Sequence, residues 1–165
     1  MLMLQSRFWA KVCNGMLKII NSLAQLDVAA FMEIYGYSDG GRDAIQEQYS
    51  FLADFFRERG SYIAIWEVCG TYACALRMEP YLDGHLISGM ETHPRVRNQG
   101  YCTQLLKALF DSSDLGLERI YSHVAKNNLP SLAVHKKTGF TVQKEYGVLL
   151  DGTVSHNYFT LVKQI

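Results

Sequence analysis

The residues with the clearest chemical potential run from Glu91 to Cys102: Glu-Thr-His-Pro-Arg-Val-Arg-Asn-Gln-Gly-Tyr-Cys. The run stands between a strand-like segment and a helix-like one. Such a junction leaves the first N–H groups of the helix without intrahelical acceptors and aims the positive end of its dipole at one point. That arrangement suits a phosphate or pyrophosphate. Gly100 removes a side chain where an anion would touch the backbone. Arg97 adds a charged donor. The three spaced glycines of a dinucleotide fingerprint are missing, and no Gly-Lys-Ser/Thr follows to make a P-loop. At this level an ordinary loop with one glycine and a nucleotide-binding domain both stay open beside the pyrophosphate reading.

The elements around this loop follow from patterning. Leu17 to Asn21 reads as a first strand, and Ser22 as the cap of a helix over Leu23 to Ile34. A turn-rich loop from Tyr35 to Gly41 leads to a second amphipathic helix, about Asp43 to Arg57, stopped by Gly60. Ser61 to Val68 and Thr71 to Glu79 are strand-like. In the second, Tyr72, Cys74, Leu76 and Met78 alternate with Ala73, Ala75, Arg77 and Glu79. Asp83-Gly84 turns the chain into His85 to Thr92. A helix from Gly100 to Asp111, a strand from Arg119 to Val124 and a short helix from Ser131 to Lys137 follow, the last closed by Gly139. Strands Val142 to Leu149 and Ser155 to Val162 flank a second Asp-Gly turn. The order β-α-α-β-β-β-α-β-α-β-β implies a mixed α/β (α+β) domain with a hairpin-rich sheet and helices on its faces.

The chain of 165 residues suits one compact core. Hydrophobic residues make up 48% and aromatics 12%, ample material to bury. Lysine plus arginine number 16 and so do aspartate plus glutamate, a balance that argues against a nucleic-acid partner. No apolar run approaches the ~18 residues of a membrane span. Met1 to Met16 is a poor signal peptide, broken by Arg7 and Lys11. The regular pattern begins at Met16, so residues 1–15 are read as an extension and 16–165 as one domain. Cys13, Cys69, Cys74 and Cys102 show neither C-x-x-C nor zinc-site spacing, so reduced thiols, no metal and a cytoplasmic location are expected.

Two blocks carry a resemblance. The segment from Arg97 is similar to the acyl-CoA signature of the GNAT superfamily of N-acyltransferases, Arg/Gln-x-x-Gly-x-Gly/Ala. Arg97, Gly100 and Cys102 fall on its fixed positions, with cysteine in place of the usual glycine or alanine. Downstream, Asn128 to Phe140 resembles that family's Asn…Leu-Tyr-x-x-x-Gly-Phe block. The blocks and their strands cover roughly Ser61 to Val162.

The resemblance implies a largely antiparallel sheet of about six to seven strands, with about four helices. Its splayed strands would hold acetyl-CoA as co-substrate, without a metal. Pantetheine would lie between the strand ending at Thr92 and the strand Arg119 to Val124. The cofactor contacts expected are Met90, Thr92, Arg97, Asn98, Gln99, Gly100, Tyr101, Cys102, Thr103 and Asn128. A backbone N–H near Met90 or Thr92 would polarise the thioester carbonyl. The implied reaction moves an acetyl group to a primary amine of a small molecule or peptide, by direct attack in a ternary complex. The chain would act as a monomer or homodimer, with no membrane or nucleic-acid partner. A non-catalytic acyl-CoA sensor is the alternative, because the family's glutamate position falls near Leu86.

An alkyl amine with a pKa near 10.4 is neutral only about once in a few thousand molecules at neutral pH, so a base helps. Glu91, on the same strand as Leu86, is the expected base. His135, where the family has a tyrosine, is the expected proton donor to the departing thiolate. His123 ends a strand beside the cleft. Tyr35, Tyr37 and Arg77 are the expected acceptor contacts.

Overall fold

The computed structural model describes residues 14–36, 41–148 and 151–165. Tyr37 and residues 1–13 of the expected extension, Cys13 among them, lie outside the described residues. Chain order is β1 (Met16–Ile20), α1 (Val28–Tyr35), α2 (Gly41–Phe55), β2 (Tyr62–Val68), β3 (Thr71–Tyr81) and β4 (Gly84–Thr92). Then come α3 (Tyr101–Phe110), β5 (Arg119–Ala125), α4 (Leu129–Lys137), β6 (Thr141–Lys144), β7 (Gly147–Val148), β8 (Val154–Ser155) and β9 (Tyr158–Gln164). Seven strands form one sheet in the order β1-β2-β3-β4-β5-β9-β6, and β7–β8 form a separate ribbon. Every pairing is antiparallel except β4 with β5. The expected mixed, largely antiparallel sheet with four α-helices is what the chain forms. Among the described residues no helix is long and apolar enough to cross a membrane.

The sheet buries both faces. On one, α3 sets Leu105, Leu106 and Leu109 against Ala64, Leu76, Met78, Ile120 and Val124. Each such leucine, fully out of water, contributes about 1.5–3 kcal/mol. On the other, Phe31 and Ile34 of α1 and Leu52 and Phe55 of α2 cover Ile63, Ile65, Tyr72 and Ala75.

Four local expectations are corrected. The first helix does not start at Ser22, which makes no side-chain cap; a short 3-10 turn precedes α1, whose cap is Asp27, accepting from the Ala30 N–H at 3.1 Å. Tyr72 joins the Ala75 face rather than the Cys74 face. A register shift between Trp66 and Glu67 against β3 breaks the alternation there. The last hairpin is two: β6 pairs with β9, while β7 and β8 meet across the Asp151-Gly152 turn. Finally, Cys74 on β3 and Cys102 in the first turn of α3 are joined as a disulfide, their Cα atoms 5.8 Å apart. Reduced thiols were expected from sequence spacing, which does not register that β3 and α3 pack together.

Candidate active site

The parallel pairing of β4 with β5 runs only from His85–Ile120 to Ile87–Ser122. Beyond it β4 continues to Thr92 and β5 to Ala125, and the strands part. Ser88 and His123 are therefore the first residues of the fork. Two cavities follow it. One of about 640 Å³ is lined by Met90, Thr92, Arg97, Gly100, Cys102 and Asn128, among others. A second of about 370 Å³ lies at the fork, with Ser88, His123, His135 and Tyr158 in its wall. Met90, Asn128 and Ser131 border both.

The outer end of the cleft is the N-terminus of α3. Gly100 caps this helix with φ +77° and makes no side-chain bond. A Cβ built there would meet nothing within 4 Å, so the position opens onto free space. The left-handed conformation, not crowding, calls for glycine. The first-turn N–H groups of Tyr101, Cys102 and Thr103 have no intrahelical acceptor and face this space. Asn98 and Thr103 also line it. Gln99 does not; its amide oxygen accepts from the Tyr101 hydroxyl at 3.2 Å. Asn128 lines both cavities, and its side chain also caps α4 by accepting from the Ser131 N–H at 3.2 Å. That cap starts the helix at Leu129, earlier than patterning suggested.

At the bend of β4, Gly89 has φ +56°, and the Arg77 guanidinium lies 2.9 Å from where a Cβ would stand. The left-handed conformation calls for glycine, while the neighbouring guanidinium, at the end of a flexible side chain, could give way. The β3–β4 register skips Gly89 and Met90. The Tyr35 hydroxyl donates to the Gly89 carbonyl at 2.5 Å, pinning the end of α1 to this bulge. Arg77 stacks on the Phe51 ring of α2 at 4.8 Å and reaches Ser88 Oγ at 3.4 Å. Ser88 in turn donates to Glu79 at 2.6 Å. Tyr35 and Arg77 thus both contact the β4 bulge, at Gly89 and Ser88.

The two expected proton-transfer residues have other engagements. Glu91 lines the outer cavity, not the one at the fork. Its Oε1 accepts from Arg97 at 3.1 Å and from the Thr92 N–H at 3.2 Å. The Thr92 carbonyl accepts from Arg97 Nε at 3.4 Å. Glu91 therefore holds the loop, and the Thr92 N–H, one of the two expected polarising groups, is engaged by its carboxylate. His135 is 1% exposed. Its Nδ1 lies 2.8 Å from the Ser131 carbonyl, which only accepts, so Nδ1 carries the proton. Burial pushes the imidazole below its usual range. Nε2, buried and without a partner, is then a bare lone pair. This departs from the expected role of donor to the thiolate.

Sequence reasoning missed Tyr81, Tyr158 and Thr160. Tyr81 continues the Arg77–Glu79 alternation by one more step, a signal that was present. Thr160 is found only through the β5–β9 pairing, where it faces His123. Outside the fork, Asp83 accepts from Tyr121 at 2.6 Å and pairs with Arg119, tying the β3–β4 turn to β5. The Tyr121 hydroxyl and then Arg119 hold the Asp83 carboxyl below the usual range. Among the described residues no group of three or more His, Cys, Asp or Glu side chains converges to hold a metal ion.

Residues 20–140 match the model of the acetyltransferase (GNAT) family. The chain belongs to the GNAT acetyltransferase family. Solved structures agree in fold. The Campylobacter jejuni N-acetyltransferase PseH in complex with acetyl coenzyme A superposes with a TM-score of 0.69 at 12% identity, over 92% of this chain and 99% of that one. The ribosomal-protein-S18-alanine N-acetyltransferase of Escherichia coli gives 0.63 at 19% identity, over 91% and 94%. Salmonella typhimurium yncA with its cofactor acetyl-CoA gives 0.65 at 20%, over 92% and 94%. No curated protein matches the sequence. In this GNAT acetyltransferase the forked strands, the α3 terminus and the bulge at Gly89 line two adjoining cavities that share Met90, Asn128 and Ser131.

Proposed function

We propose that the protein transfers an acetyl group from acetyl-CoA to a primary amine of a small molecule or peptide, by direct attack in a ternary complex. The observation that carries this is the groove. It opens at the unpaired N–H groups of α3 and ends at a fork lined by hydroxyl and imidazole groups. In this reading the pyrophosphate sits at the Gly100 turn beside Arg97, and pantetheine runs past Met90, Thr92 and Asn128. The thioester carbonyl meets the Met90 N–H, which stabilises the oxyanion as it forms. The amine enters from the α1–α2 side, past Tyr35 and Arg77. No covalent enzyme intermediate is needed, and Cys102 faces Thr92 Oγ1 at 2.9 Å as a wall of the groove.

The test is thiol release from acetyl-CoA, and from a longer acyl-CoA, with a panel of amino-acid amides, polyamines and amino sugars. Turnover with at least one amine supports the reading. Tight acetyl-CoA binding without turnover across the panel would favour a sensor, and absence of binding would remove the cofactor assignment altogether.

A further inference from the structure

His123 is the imidazole that stands at the fork itself. Its strand neighbour Ser122 makes the last β4–β5 pair, so His123 faces Ser88 where the strands begin to part. It is half-buried and lines the inner cavity. Its two nitrogens are not equivalent. Nδ1 lies 3.1 Å from Thr160 Oγ1. That hydroxyl already gives its only proton to the Tyr146 carbonyl, at 2.7 Å. Thr160 can therefore only accept from His123, and Nδ1 must carry the ring proton. Nε2 is left as a lone pair, 3.3 Å from the Tyr81 hydroxyl, with the Tyr81 ring edge-on to the imidazole at 5.6 Å. A carbonyl of the β6–β7 bend thus fixes, through one threonine, which nitrogen of His123 is basic.

We propose that His123 takes the proton of the attacking amine, with the Tyr81 hydroxyl as the bridge; this rests on the amine-acetylation reading above. The amine nitrogen bonds to the thioester carbonyl carbon, and the C–S bond breaks with its electron pair leaving on sulfur. An N–H proton passes to Tyr81 Oη as that hydroxyl hands its own proton to Nε2. The imidazolium returns the proton through the same hydroxyl to the thiolate. CoA leaves as the thiol, and both side chains end as they began. Thr160 is a positioning residue in this scheme.

The surroundings keep the ring neutral. Burial and then the Lys144 ammonium push His123 below its usual range. Tyr81 from β3 and Lys144 from β6 are titratable neighbours, Tyr158 of β9 and His135 of α4 line the same cavity, and the Glu79 carboxylate of β3 is held by Ser88. Leu86, Ser88 and Gly89 of β4 line the same cavity. A base with a depressed pKa is already unprotonated at neutral pH, so the acidic limb that His123 gives to kcat lies below about 6.5, apart from the rise in kcat/KM at higher pH that comes from the amine's own ionisation.

Two measurements on the full chain test this. Long-range proton–nitrogen NMR of ¹⁵N-histidine protein should show His123 with a protonated Nδ1 and a bare Nε2 at pH 7.5, and Thr160→Val should mix the two tautomers. A dominant Nε2–H form overturns the proposal. Kinetics use acetyl-CoA and the fastest amine of the panel. His123→Gln and Tyr81→Phe should each lower kcat by about 10²–10⁴-fold, with the acetyl-CoA Kd unchanged. His123→Gln should also lose the acidic limb, which a merely structural role would leave in place. A folded His123→Gln that binds acetyl-CoA normally and keeps kcat within about threefold sinks the inference while leaving the acetyltransferase reading intact. Wild-type protein that binds no acetyl-CoA sinks the reading first.

Discussion

Replacing Gly100 separates backbone geometry from charge at the proposed pyrophosphate site. Gly100→Ala places a Cβ in open space but forces a left-handed conformation, at φ +77°. That costs about 1–2 kcal/mol of stability and nothing else. Gly100→Glu adds the same strain plus a carboxylate at the mouth of the groove. Taken about 6 Å from one phosphate charge with an effective dielectric of about 20, the repulsion is roughly 3 kcal/mol. That corresponds to about a 100-fold rise in the Kd of acetyl-CoA. Calorimetry reads the affinity directly, and thermal melts read it through linkage. At a ligand concentration 100 times Kd, wild type gains about 2.7 kcal/mol, or about 5–10 °C in a chain of this size. Gly100→Ala should keep most of that gain from a lower starting Tm, and Gly100→Glu should lose it. If Gly100→Glu folds as Gly100→Ala does and binds acetyl-CoA within about threefold of it, no anion sits at the α3 terminus.

Other side chains give shorter tests. Glu91→Gln should change kcat and acetyl-CoA Kd by less than about fivefold, because Glu91 holds Arg97 rather than a reacting proton; a loss near 10²-fold in kcat, typical of a missing base, would restore it to that role. Arg97→Ala removes a charge-assisted bond of about 1.5–3 kcal/mol and should raise the acetyl-CoA Kd at least tenfold. Burial depresses the His135 pKa, so the folded state resists protonation; its stabilising effect is whole above about pH 6.5 and is lost as pH falls through the folded pKa. Tm should therefore drop on acidification from pH 6.5, and His135→Phe should flatten that drop; an unchanged slope refutes it. Peptide mapping after alkylation should find Cys74 linked to Cys102. Closing 28 residues of chain contributes about 3–4 kcal/mol in the loop-entropy model, so Cys102→Ala or a reductant should lower Tm by several degrees, and an unmoved Tm denies the bond.

The legible parts of the sequence were those where local chemistry and tertiary position coincide. Gly100 after Arg97, at a strand–helix junction, was legible because the αL cap and the helix start are one event. Leu105, Leu106 and Leu109 gave α3 by spacing alone, and the hairpin turn at Asp83-Gly84 gave the β3–β4 pairing. The failures are all non-local. Tyr72 changes face because β2 shifts its register against β3, which no single-strand pattern contains. Cys74 and Cys102 are 28 residues apart and meet only because α3 lies on the sheet. Glu91 was singled out by the strand it shares with Leu86, but Arg97 folds back onto it from the loop. His123 was visible as a strand-end histidine; its tautomer was not, since that depends on Thr160 and a carbonyl at Tyr146.

Leu86 bears on whether this groove works or only binds. The resemblance implies a glutamate near this position, and its absence was the main support for a sensor. Leu86 is 7% exposed and stands directly opposite Glu79 on β3. Residues so paired have Cβ atoms about 4.5–5.5 Å apart on one face. A glutamate at position 86 would therefore confront Glu79, and two carboxylates at that distance raise one another's pKa and destabilise the pair. Glu79 is already committed to Ser88, and through it to the Arg77 end of the fork. With that carboxylate in place on β3, an apolar residue at 86 is what the sheet accommodates. It also keeps water from the inner end of the groove, where desolvation strengthens every polar contact. Leucine at 86 thus follows from the cross-strand neighbour and does not argue against turnover. The question moves to β5, where the ring nitrogen facing Tyr81 either accepts a proton or does not.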